Sequence, residues 1–151
     1  MIRMRWRLLS ALCLAASLGA CGDTLDVDPF FPATYKSSYV KMSACIKGAH
    51  PAGDYVVSWI SPGGAAAWKA GEVVPEGTVL VKSQYTDSAC KEQSRFTAMR
   101  KLKIGTAPAQ GDWEWALLDD SRGVRECCAG DNGCVSCHTP CKKQDYICTK
   151  P

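Results

Sequence analysis

Ten cysteines in 151 residues constrain this chain more than any other feature, and six of them fall between Cys127 and Cys148. Such density belongs to an oxidising compartment, where disulfides stiffen segments that have little apolar content of their own. The N-terminus agrees with export. Arg3, Arg5 and Arg7 make a basic start, Leu8 to Leu18 is a short apolar run, and small residues follow, as in a secretory leader. That run is too short to span a bilayer as a stable helix. The junction Leu18-Gly19-Ala20-Cys21 has the form of a bacterial lipobox, whose cysteine is acylated after cleavage; the alternative is ordinary cleavage near Ala20, with Cys21 a leftover thiol. Acylation anchors a domain to a membrane without spanning it. Gly22, in place of Asp after the cysteine, favours the periplasmic face of the outer membrane.

Three segments are therefore expected: a leader over 1–20, a lipidated polar tether over 21–33, and one folded domain over 34–151. The 131 residues left after cleavage are enough for a single core. Without the three leader arginines, 15 basic residues face 15 acidic ones, so the mature chain has no excess positive charge with which to bind nucleic acid. No second apolar run suggests another membrane element.

Cys134-Val135-Ser136-Cys137-His138 has the C-x-x-C-H spacing of c-type haem attachment. Two thiols add to the two vinyl groups of the porphyrin, and the adjacent imidazole then reaches the iron. One covalent haem c is the cofactor expected, with His138 as the proximal iron ligand. Two rivals remain at this point: a chance pattern in a disulfide scaffold, and a zinc site drawn from Cys127, Cys128, Cys134, Cys137, His138 and Cys141. With Cys13 lost in the leader, Cys21 lipidated and two cysteines on haem, six are left. Six cysteines allow 15 pairings. Cys45 with Cys90, and Cys127 and Cys128 with Cys141 and Cys148, are the pairs expected. Only thirteen residues follow His138 and none is Met, so a downstream Met cannot complete the iron's coordination. A sixth ligand has to come from Met42, His50, Met99 or a Lys; otherwise the position is open and a small molecule binds there.

Patterning suggests an α+β domain, mainly an antiparallel sheet with one or two helices. Thr34 to Lys47 is predicted helical from Tyr35, Tyr39 and Met42. Tyr55 to Ile60, Thr78 to Tyr85, Phe96 to Ile104 and Trp113 to Leu118 are predicted strands. Ala65 to Ala70 is a short helix that ends at Gly71. From Gly123 onward the chain reads as a loop held by cysteines and haem.

Several segments, in order, resemble the cytochrome P-460 family, which includes the cytochromes c′-beta. They are Ile60-Ser61-Pro62, Ala67-Trp68-Lys69, Gly71-Glu72, Gly77-Thr78-Val79-Leu80-Val81-Lys82, Gly111-Asp112-Trp113, the haem motif, and Asp145-Tyr146-Ile147-Cys148-Thr149. The resemblance implies a mainly antiparallel β protein, a homodimer in many members, with haem in the C-terminal loop. It implies a small nitrogen compound as ligand or substrate: hydroxylamine in members whose lysine is cross-linked to the macrocycle, nitric oxide in those without that bond. Lys82 falls at the cross-linking position; the plain alternative is a solvent-facing lysine at a strand end. The redox partner is not indicated. Two positions depart from the pattern. Val56 stands where relatives carry an Arg, and Thr97 near their acidic proton relay. Glu72, Glu92, Arg95 and Glu114 read as solvated surface charges. Tyr85 and Phe96 are candidates to wall the distal face, and Trp113 and Trp115 share one strand face.

Overall fold

The run Tyr55-Val56-Val57-Ser58-Trp59-Ile60 is β-branched and aromatic, and such residues favour the pleated, half-buried surface of a strand. The computed structural model describes residues 29–48, 55–119, 122–127 and 133–151. It begins with one helical turn, α1 (Tyr35–Ser38), and two short strands, β1 (Val40–Lys41) and β2 (Ile46–Lys47). Then come β3 (Tyr55–Ile60), helix α2 (Pro62–Ala70), β4 (Val79–Tyr85), β5 (Gln93–Lys101) and β6 (Trp113–Leu118). β7 (Val124–Cys127), the short helix α3 (Cys134–His138) and a 3-10 turn over Thr139–Gln144 complete the chain. The sheet runs β1-β3-β4-β5-β6-β7, with β2 also on the outer edge of β3, and every pairing is antiparallel. The fold is α+β, mainly antiparallel sheet.

Alternation along the strands gives the sheet two apolar faces. Ile60, Leu80, Met99, Trp113 and Trp115 point to one side and pack with Trp68, Tyr146 and Ile147. Val79, Val81, Phe96, Ala98, Ala116 and Leu118 point to the other. That second face is covered by residues 30–35: Phe31 meets Tyr35 and Phe96 edge to face at 5.0 and 5.1 Å. Phe30 and Phe31 are both buried. Among the described residues, the packed core therefore includes Phe30 and Phe31, which lie within the 21–33 segment expected to be a tether.

Two other expectations are corrected. Thr34 to Lys47 is not a helix beyond α1, because Tyr39 turns extended (ψ 157°) and the chain crosses the edge of the sheet. Tyr35 and Met42 are both buried, but on opposite faces, so their helical spacing is coincidental. The segment after Gly123 is not all loop: β7 pairs with β6, and the motif cysteines lie on α3. Among the described residues, no helix is long and apolar enough to cross a membrane.

Helix α2 sets the sheet against the C-terminal segment. Pro62 occupies its first turn, where a fixed φ suits a helix start, and Ser61 spends its hydroxyl on the Val79 N–H (2.9 Å). The helix therefore begins three residues earlier than the Ala65 expected. Gly71, at φ 72°, ends it, with Glu72 N–H bonded to the Ala67 carbonyl. Trp68 Nε1 donates to the Thr149 carbonyl at 2.9 Å. Buried Gly64 lets the helix approach Thr78: a Cβ there would overlap Thr78 Cγ2 and lie 2.7 Å from Oγ1. Gly64→Ala should cost about 1–3 kcal/mol in denaturant unfolding. Adding Thr78→Ala should recover part of that loss, whereas strict additivity would show that the contact is unimportant.

Candidate functional site

Three residues apart on a helix means adjacent on its surface, so α3 sets Cys134 and Cys137 side by side with His138 next in chain. Neither cysteine is in a disulfide. Cys134 is half-buried against the core face that holds Trp115, and Cys137 is exposed. The His138 ring meets Trp115 edge to face, centroids 4.7 Å apart. Its Nδ1 lies 2.7 Å from the Tyr146 carbonyl oxygen. A carbonyl only accepts, so Nδ1 carries the proton and Nε2 keeps its lone pair for a metal. Two thiols outside disulfides and an imidazole whose tautomer is fixed form a donor set that could hold a haem.

An unusual turn places that carbonyl. Asp145 and Tyr146, neither a glycine, both sit in the left-handed region, at φ 53° and 62°. Each costs on the order of 1–2 kcal/mol. Lys101 Nζ pairs with Asp145 Oδ1 at 2.5 Å and donates to the Gly111 carbonyl at 2.8 Å; both charged residues are buried. Sequence reasoning quoted Asp145 only as part of a motif and missed Lys101, which reads as the unremarkable end of a strand.

Lys82 lies in the middle of β4, not at its end. Ser58, Lys82, Thr97 and Leu117 are direct cross-strand partners and share a face. The next row on that face is Val56, Gln84 and Arg95. Lys82 is half-buried in an otherwise buried strand, so the plain reading of a solvent-facing lysine fails. Burial pushes its amine below the usual lysine range, while the Cys134 and Cys137 thiols act to raise it. Lys82 is thus within electrostatic reach of both thiols.

Arg95 is likewise not a freely solvated charge. Its Nε donates to buried Gln84 Oε1 at 2.9 Å, and Gln84 Nε2 donates to Thr97 Oγ1 at 3.4 Å. Glu72 and Glu92 are exposed, and Glu114 meets Arg100 at 3.7 Å. Tyr85 and Phe96 lie on the opposite face, where Lys36 sits 5.7 Å above the Tyr85 ring, so neither walls a site beside Lys82. Trp113 and Trp115 do share the site face, 6.5 Å apart.

The structure joins Cys45 to Cys90, and joins Cys141 to Cys148. The second bond corrects the expected pairing of Cys141 and Cys148 with Cys127 and Cys128. The tight turn at Asp145–Tyr146 folds Cys148 back onto Cys141, seven residues away. Cys21, His50, Cys128 and the Cys127 side chain lie outside the described residues. Among the described residues, no cluster of three or more His, Cys, Asp or Glu could hold a metal ion.

The family model for cytochrome P460 matches residues 32–149. The chain belongs to the cytochrome P460 family. Membership makes it a haem protein, and the residues on α3 fit that cofactor. No individual curated protein matches the chain. As a cytochrome P460, it presents Val56, buried, and Thr97, half-buried, on either side of the Lys82 strand.

Because burial lowers the amine of Lys82, the unfolded chain holds this proton more tightly than the folded one. The resulting cost is present below the folded pKa and fades as pH rises through it towards the ordinary lysine value of about 10.5. Lys82→Met should therefore be at least as stable as wild type at pH 7, with its advantage shrinking at alkaline pH in denaturant melts. A variant that is less stable by a constant margin at every pH would contradict this account.

Proposed function

We propose that this protein is an exported, lipid-anchored c-type cytochrome P460 that binds or converts a small nitrogen species such as nitric oxide or hydroxylamine. Cys134 and Cys137 would hold one haem by thioether bonds, and His138 would be its proximal ligand. The observation that carries this reading is the 2.7 Å contact from His138 Nδ1 to the Tyr146 carbonyl, beside two cysteines kept out of disulfides. Only the Nε2 lone pair is then left for a metal. When bound, the haem iron supplies a one-electron redox couple and a coordination position for a small ligand.

The remaining work falls to residues of this chain. Trp115 packs on the His138 ring and, with Leu80 and Met99, keeps water from that side. Lys82 offers an amine whose proton is loosened by burial, on a face shared with Ser58, Thr97 and Gln84. That position suits it to be the cross-linked lysine or, without the bond, a proton donor to a bound ligand. The two rows around it, Ser58, Thr97, Leu117, Val56, Gln84 and Arg95, contain no thioether or imidazole to fill a sixth position. Since Val56 and Thr97 do not titrate, multi-proton oxidation lacks the usual relay at those positions, which favours ligand binding over turnover of hydroxylamine. A second reading, a six-coordinate electron carrier, draws on Met42 and Met99, both buried in the cluster that Cys134 packs against. Acylation of Cys21 would hold the domain at the periplasmic face of the outer membrane.

The Cys134→Ala, Cys137→Ala double variant should lose all covalently bound haem on a denaturing gel; staining that survives would refute the attachment. The ferrous spectrum of the wild type should be high-spin, with a strongly red-shifted Soret band if Lys82 is cross-linked. A low-spin spectrum would support the six-coordinate reading instead.

A further inference from the structure

We propose that Lys101 and Asp145 are positioning residues that set the strength of His138 as an iron ligand, acting through the Tyr146 carbonyl. The inference rests on the reading of His138 given above. Backbone in the left-handed region at two consecutive non-glycine residues persists only where the surroundings over-determine it. Here they do. Asp145 N–H bonds the Lys142 carbonyl at 3.1 Å and Tyr146 N–H bonds the Cys141 carbonyl at 3.0 Å. Trp113 Nε1 donates to the Asp145 carbonyl at 2.9 Å. The Asp145 carboxylate accepts Val74 N–H through Oδ2 at 3.1 Å and Lys101 Nζ through Oδ1 at 2.5 Å.

Of these contacts the ion pair is the one that apolar packing could most readily replace. A buried charge pair often contributes no more stability than apolar residues of the same volume, so its presence calls for another reason. The geometry offers one. Lys101 ends β5 and is held in place by backbone bonds to Thr78 and Gly77, so it is a fixed post on the sheet. Through Asp145 it fixes the peptide that turns the Tyr146 carbonyl towards His138 Nδ1. The imidazole gains basicity from a short bond to that carbonyl, and a more basic imidazole favours ferric over ferrous iron. Weakening the clamp should therefore weaken the ligand without removing it.

Asp145→Asn isolates the charge. Asn has nearly the same shape, tolerates the left-handed region and can still accept the Val74 N–H. In the full-length, haem-loaded protein, this variant should raise the reduction potential and lower the iron–histidine stretching frequency of the ferrous form. A tenfold shift towards the ferrous state is the size expected for an outer-shell partner, equivalent to 59 mV for a one-electron couple. Lys101→Arg with Asp145 in place, which keeps the pair, should retain most of the wild-type value. If Asp145→Asn does not fold, Lys101→Gln puts the same question with Asp145 in place. An unchanged potential and band in whichever neutral variant folds would overturn the proposal. A wild-type protein with no iron–histidine band would instead overturn the assignment of His138 itself, so the two failures are distinguishable.

Discussion

Imidazole has two nitrogens, and the hydrogen bond from His138 Nδ1 to the Tyr146 carbonyl decides which of them is available. Much of the C-terminal architecture can be read as the means of keeping that carbonyl where it is. The Asp145–Tyr146 turn is held by Lys101 from β5, by Trp113 from β6 and by the backbone of the Cys141–Cys148 loop. Tyr146 packs against Gly111, where a side chain would collide with its ring. Elements far apart in sequence thus converge on one peptide oxygen, and an imidazole on a short, part-exposed helix acquires a fixed tautomer and direction.

The sheet makes this possible by dividing its two faces between stability and chemistry. One face is closed by Phe30, Phe31 and Tyr35, an aromatic cap fastened by the Tyr35 hydroxyl on Ser83 at 2.8 Å and by Arg100, which donates to the Phe30 carbonyl at 3.2 Å. The other face carries the tryptophans and the C-terminal segment, with Lys82, Gln84, Thr97 and Arg95 forming a polar strip beside them. A half-buried amine within a strand is costly, which is common where a position is retained for function rather than for the fold. Without its family, the strip would read as a minor flaw in a core; together with two cysteines outside disulfides, it supports the proposal that this face holds the cofactor.

Legibility in the sequence followed the range of the interactions. Strands β3, β4 and β6 announce themselves by β-branched and aromatic content, and the haem motif by spacing, because both signals are local. The sequence alone could not say that Tyr35 and Met42 sit on opposite faces, since helical periodicity and a chain that crosses a sheet edge give the same spacing. Phe30 and Phe31 were hidden among polar and proline residues that resemble a tether. Arg95 looked solvated because its partner, Gln84, is eleven residues away on the neighbouring strand. The Lys101–Asp145 pair spans 44 residues, and nothing in either local sequence marks it. The pairing of Cys141 with Cys148 depended on a left-handed turn that Asp and Tyr rarely adopt.

The central claim, that His138 presents Nε2 to the haem iron, is tested most directly by removing the ring and returning it. His138→Gly should lose the histidine-ligated ferrous spectrum while keeping haem attached through Cys134 and Cys137, and added imidazole should restore that spectrum. A His138→Gly protein whose spectrum equals that of the wild type, with or without imidazole, would contradict the account.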